Sequence, residues 1–128
     1  MSKHGHPVEP DRVDAARQRG LSLNDARALD SLLSLLADTV RTRVLVALVE
    51  TDEMCVGDLA LALDVSEDSA SYALRVLRSA GLVQRRTEGR MRYYRLRDGE
   101  LRDGLVAAVE QLRLLSRLHL ERVPEDDG

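Results

Sequence analysis

Residues Val65 to Leu96 read VSEDSASYALRVLRSAGLVQRRTEGRMRYYRL, and this stretch decides the fold. Ser66 is a good helix N-cap, because its hydroxyl can accept from a backbone N–H of the first turn that has no partner inside the helix. Glu67 and Asp68 follow, where the helix dipole favours negative charge. Ala70, Leu74 and Leu77 recur at helical spacing, and Gly81 is placed to stop the helix. Leu82-Val83 and the alternating Met91, Tyr93 and Arg95 are strand-like, with Thr87-Glu88-Gly89-Arg90 supplying the turn between them. The expectation is a helix followed by a two-stranded wing.

Charge indicates what this unit meets. The whole chain of 128 residues carries a formal net charge of -3, which by itself argues against a polyanionic partner. Locally the sign reverses. Between Leu74 and Arg97 lie Arg75, Arg78, Arg85, Arg86, Arg90, Arg92, Arg95 and Arg97, against Glu88 as the only acid. Guanidinium groups gathered on one helix and one hairpin can neutralise phosphates on both sides of a DNA groove, releasing counterions as they do. The alternative is a solvated arginine-rich face. On the DNA reading the facing set is Ser66, Ser69, Ser71, Tyr72, Arg75, Arg78, Arg86, Arg90 and Arg92. Direct readout rests on Ser69, Ser71, Tyr72 and Arg75, with Ala73 offering a methyl to a thymine methyl, and the wing arginines meet phosphates.

Composition bounds the remainder. Hydrophobic residues make up 44% of the chain, with no Trp, no Phe and three Tyr, so a core must be built from Leu, Val and Ala. That favours packed helices in one small domain. No apolar run approaches the ~20 residues of a membrane span, and the start MSKHGHPVEP has no signal-peptide stretch, so a cytoplasmic protein is expected. One cysteine cannot form an internal disulfide, and a reduced thiol fits that compartment.

Residues 1–20 are polar and lack apolar periodicity, and read as a flexible N-terminal arm. Residues 21–122 read as one winged helix-turn-helix domain for DNA binding and dimerisation, and 123–128 as an acidic tail. Leu29, Leu32, Leu33 and Leu36, then Val40, Val44, Leu45, Leu48 and Val49, mark two helices broken near Asp38-Thr39. Leu59 to Leu63 is a short third helix that leads through Asp64-Val65 into the Ser66 cap, making a helix-turn-helix. After the wing, Asp98 is placed to cap a final helix reaching about Arg122. The order is α-α-α-α-β-β-α, mainly α.

Leu101, Leu105, Ala108, Leu112 and Leu115 on that last helix step by four and three, the spacing of a helix seam. A domain this small has little interior left for it. The expected interface therefore joins this seam and Leu29 to a second copy, giving a homodimer that would read an inverted-repeat operator. Packing wholly within one subunit is the alternative.

The order of elements, with LLADTVRTRVLVAL, MCVGDLALALDVS, SYALRVLRSAGLV and EGRMRYYRL, resembles the ArsR/SmtB family of dimeric winged-helix repressors over roughly residues 25 to 115. The most specific piece is Met54-Cys55-Val56-Gly57-Asp58-Leu59, similar to the CVGDL or CVCDL box of metal-sensing members. The resemblance implies transcriptional repression relieved by a metal or another chemical signal. It also implies that the N-terminal arm supplies ligands to this box.

On a helix, residues three apart share a face, so Cys55 and Asp58 would offer a thiolate and a carboxylate, half of a tetrahedral site. With His4 and His6 from the arm the set suits Zn(II), Cd(II) or Co(II) as effector. The alternative is a buried cysteine beside a helix-start carboxylate. A processed start Ser2-Lys3-His4 could instead wrap square-planar Cu(II) or Ni(II). The family's second metal site, on the final helix, is expected to be absent, since Asp98, Glu100, Gln111 and Leu114 stand at its positions. His119 continues the seam. The same scaffold could also answer to a thiol-reactive signal at Cys55. No glycine-rich phosphate loop, nucleophile elbow or His-rich catalytic signature points to an enzyme.

Overall fold

The computed structural model describes residues 5–122. The chain divides into two compact units, Met1–Leu36 and Ala37–Gly128.

The first unit holds α1, Pro10–Arg19, and α2, Leu23–Leu36. Helix α1 lies inside the segment that the sequence pattern reads as an arm without regular structure. Its ends are nonetheless well made. Pro10 starts it, Asp11 sits in the first turn, and Arg17 and Arg19 sit in the last, all favourable to the helix dipole. It buries no residue, which is why apolar periodicity gives no hint of it. Ser22 Oγ accepts from the Asp25 N–H at 3.1 Å and caps α2.

The second unit runs α3 Thr39–Thr51, β1 Met54–Cys55, α4 Val56–Leu63, α5 Glu67–Ser79, β2 Val83–Glu88, β3 Met91–Leu96 and α6 Glu100–Arg122. Asp38 accepts from the Arg41 N–H at 2.9 Å and begins α3. Helix α5 packs against α3 and α4, and the core is aliphatic: Val44, Leu45 and Leu48 of α3, Leu59 and Leu63 of α4, Leu74 and Leu77 of α5, and Leu96 of β3. Among the described residues, Tyr94 is the aromatic side chain that joins it.

The strands form an antiparallel sheet in the order β1-β3-β2. Strand β1, two residues long, is not evident from the sequence because its partner, Tyr93-Tyr94 of β3, is far away along the chain. The hairpin is also tighter than expected. Its strands run to Glu88 and Met91, leaving Gly89-Arg90 as a two-residue turn in which Gly89 supplies the positive φ of 60°. Gly81 ends α5, in agreement with the sequence pattern: at φ +80° it lets its own N–H reach Arg78 O and lets the Leu82 N–H reach Leu77 O, both at 3.0 Å.

Asp98 does not cap α6. Its carboxylate accepts from Arg95 Nη2 at 2.8 Å and from Gln84 Nε2 at 3.3 Å, and Gly99 takes the position before the first helical residue. Helix α6 is tied to the end of α3 by Arg102 on Asp52 and Arg113 on Glu50. Of its residues only Leu105 is buried, at 6% exposure. The expected seam is therefore split. Leu105 belongs to the core of its own subunit, while Leu101, Ala108, Leu112 and Leu115 lie exposed. Leu29, on α2, is exposed as well.

Candidate nucleic-acid interface

The helix-turn-helix is α4, a turn and α5. Asp64 adopts the left-handed conformation, φ 53°, to close α4, and Val65 leads into the cap. Ser66 Oγ accepts from the Ser69 N–H at 3.0 Å and caps the helix, and its own O–H still points from an exposed residue. Along α5 one stripe, Ala70, Ala73, Leu74 and Leu77, is buried. The opposite stripe presents Asp68, Ser69, Tyr72, Arg75, Arg78 and Ser79 to solvent. Tyr72, 59% exposed, stands with Ser69 and Asp68 over a shallow groove whose far wall is Asp38, the cap of α3, with Val40 and Arg41 of its first turn.

This corrects one part of the expected readout. Ala73, 2% exposed, points into the core and cannot offer its methyl to a base. Ser71 is half-buried. Ser69, Tyr72 and Arg75 remain as groups that can reach a groove floor. Asp68, which the sequence pattern explains only as a dipole-favouring residue, is an exposed acceptor beside them.

On the wing, Arg85, Arg90 and Arg92 are exposed. Arg86 is engaged by protein acids. Its Nε and Nη2 donate to Glu53, at 2.7 to 3.0 Å, its Nη1 donates to Glu88 Oε2 at 2.7 Å, and its guanidinium carbon lies 4.5 Å from the Tyr93 ring centre. The hydrogen bond from Arg86 holds the Glu53 carboxyl below the usual carboxylate range, and the bonds to Glu53 and Glu88 push the Arg86 pKa up.

The Met54–Leu59 box straddles a strand end and a helix start. Cys55 closes β1 and is the N-cap residue of α4, with φ -83° and ψ 163°. It is therefore not on the helix, and the shared helical face expected of Cys55 and Asp58 becomes an N-cap residue followed by the third helical position. Cys55 is 7% exposed and Asp58 is exposed. His6 lies in the first unit, lining a surface hollow with Pro7, Pro10, Val13, Asp14 and Arg17, and His4 falls outside the described residues. Among the described residues no three His, Cys, Asp or Glu side chains come together as a metal site. One carboxylate near the box has no signal in the local sequence. Glu67 Oε1, from the first turn of α5, lies 3.4 Å from where a β-carbon on Gly57 would stand.

These features define a winged helix-turn-helix with an outward polar face on its second helix and cationic strands beside it. Residues 38–85 match the model of the bacterial regulatory protein arsR family. A transcriptional repressor SmtB homolog of Synechocystis sp. is 40% identical over 94 residues, 73% of this chain and 70% of that protein. The cadmium resistance transcriptional regulatory protein CadC of Listeria innocua is 31% identical over 87 residues, 68% and 72% of the two chains. The solution structure of a homodimeric winged helix-turn-helix DNA-binding domain from Mycobacterium bovis, a possible ArsR-family regulator, superposes with a TM-score of 0.62 at 28% identity, covering 84% and 97%. The chain belongs to the ArsR/SmtB family of DNA-binding transcriptional repressors. It is a regulator and not an enzyme. Among the described residues, no helix is long and apolar enough to cross a membrane.

Proposed function

We propose that this repressor acts in the cytoplasm as a homodimer on an inverted-repeat operator, and that a transition or heavy metal ion held at the Cys55–Asp58 box releases it. Tyr72, Arg75 and Ser69 read bases, while Arg78, Arg90 and Arg92 hold phosphates. The second copy covers the leucines that α6 leaves exposed, and the homodimeric relative from M. bovis supports a dimer.

For the metal, the donors fit in kind and are two in number. A soft thiolate and a carboxylate suit Zn(II) or Cd(II), and the remaining donors come from His4 and His6 or from the second subunit. The cadmium-regulatory relative supports a metal in this role. The observation that carries the coupling is the contact between box and reading helix. Helix α4, which begins within the box, packs against α5, and Glu67 Oε1 in the first turn of α5 lies 3.4 Å from where a β-carbon on Gly57 would stand, so a shift of the box is felt where α5 would enter a groove. Coupling of this kind needs about 1–3 kcal/mol of differential affinity between the two states.

The test is operator binding followed by fluorescence anisotropy with and without Cd(II). Wild-type protein should leave the operator when metal is added. Cys55→Ser should bind operator normally, lose the thiolate-to-metal charge-transfer band, and stay bound when metal is added. Removal of residues 1–7 should weaken metal binding and leave apo DNA affinity unchanged. A Cys55→Ser protein that still released on metal would overturn the assignment, and release by a thiol oxidant but not by metal would replace the metal with a redox signal.

A further inference from the structure

Arg86 sits among the wing arginines yet sends its charge elsewhere. Arg90 in the turn and Arg92 near the start of β3 are exposed, whereas Arg86 has its Nε, Nη1 and Nη2 all donating to carboxylates and one face of its guanidinium over Tyr93. The partners span the sheet. Glu53 immediately precedes β1, Arg86 is in β2, and Tyr93 is in β3, paired with Cys55 on one side and with Arg86 on the other. Paired residues of antiparallel strands share a face, so Cys55, Tyr93 and Arg86 form one row across the sheet.

We propose that the Glu53–Arg86 pair is a positioning device for DNA binding: it braces the wing against the strand that carries the effector box, and Arg86 is not a phosphate contact. A two-stranded hairpin is marginal by itself, and beyond Gln84 and Tyr93 this one has exposed residues only, so little apolar packing fixes its angle. A planar guanidinium bonded edge-on to Glu53 and stacked on Tyr93 supplies that angle, which an ammonium cannot copy. For Arg86 to reach a phosphate it would have to give up Glu53, and a free Glu53 would then face the DNA. The inference rests on α5 and the wing being the DNA-facing unit, and is independent of any metal.

Two variants of the pair, one that removes a charge and one that keeps it, test the brace, with operator and random duplex titrated across a salt series. Glu53→Gln removes a negative charge and so should tighten binding if charge alone mattered. A brace predicts the reverse: operator binding about tenfold weaker, with the salt slope unchanged. Arg86→Lys keeps the charge and should weaken operator binding about as much as Glu53→Gln does, and the double variant should be no weaker than either single one. Tighter binding by Glu53→Gln on both duplexes, with a slope steeper by about 0.9, would show that Arg86 is a phosphate contact held in check by Glu53. Near-wild-type behaviour of either single variant would equally overturn the brace. Should neither wild type nor variant prefer the operator over random duplex, and should Arg90→Ala leave both affinities unchanged, the DNA-facing assignment itself would fail.

Discussion

Helix α5 buries Ala70, Ala73, Leu74 and Leu77 among its 13 residues, whereas α6 buries only Leu105 among its 23. Both carry leucine at helical spacing, so periodicity alone does not separate them. The difference lies in what each stripe meets. The stripe of α5 fits between α3 and α4, and its opposite face is left polar and free for a ligand. The stripe of α6 continues past the end of the domain, with Leu112, Leu115 and Leu118 at 45%, 59% and 41% exposure. Leu105 and two surface ion pairs at the end of α3 hold this helix in its own subunit, and the ion pairs contribute little. Apolar surface of this length calls for another apolar surface. On the proposed function, α5 faces DNA and α6 a second copy.

The largest expected effects break the buried stripes. Leu105→Asp puts an unpaired charge into the core of one subunit and should unfold it outright, as seen in lost helical circular dichroism at room temperature. Leu77→Ala should cost about 2–5 kcal/mol in urea unfolding through the cavity it leaves. Next come the exposed faces. Tyr72→Ala or Arg75→Ala should leave the unfolding midpoint unchanged and cost roughly 1–3 kcal/mol of operator binding, with a smaller effect on random duplex. Arg90→Ala with Arg92→Ala should weaken both duplexes alike and reduce the salt slope by roughly 0.9 for each phosphate that is no longer neutralised. If Tyr72→Ala and the wing pair behaved identically on the two duplexes, the division between base readout and phosphate binding would be wrong. A smaller effect tests helix starts. Asp38→Ala should cost about 1 kcal/mol by leaving the Arg41 N–H without its cap.

The smallest effect is the pH dependence of the wing brace. Because Arg86 lowers the Glu53 pKa, the folded state binds that proton less readily than the unfolded chain does. The contribution of the pair is then complete above the ordinary glutamate value of 4.5 and fades as pH falls through the lowered value. A carboxyl NMR titration should find Glu53 titrating below the ordinary glutamate value of 4.5 in the wild type and nearer to it in Arg86→Lys.

Local features are legible in the sequence. The Ser66 cap, the Ala70-Leu74-Leu77 stripe, the Gly81 stop and the Gly89 turn are each decided within a few residues, and each is present. Long-range features are hidden. Strand β1 exists only because Met54 and Cys55 find Tyr94 and Tyr93, and Arg86 is withdrawn from the arginine face by Glu53, 33 residues away. Ala73 misleads because Ser71-Tyr72-Ala73 reads as a polar segment, although Ala73 lies three residues after Ala70 and so on the same buried face. Leu105 misleads because a heptad shows that a stripe is apolar without showing which of its members faces home. Helix α1 escapes a search for apolar periodicity, although Pro10 and the charges of its first and last turns mark it.

Sedimentation equilibrium of Leu112→Asp with Leu115→Asp, compared with wild type at micromolar concentration, tests the assignment of the two stripes most directly. Both positions are exposed in the subunit, so the variant should keep its helical circular dichroism, sediment as a monomer where wild type is a dimer, and bind the operator far more weakly than the intact dimer does. A variant that stays dimeric, or a wild type that is already monomeric, would contradict the claim that α6 keeps its leucines for a second copy.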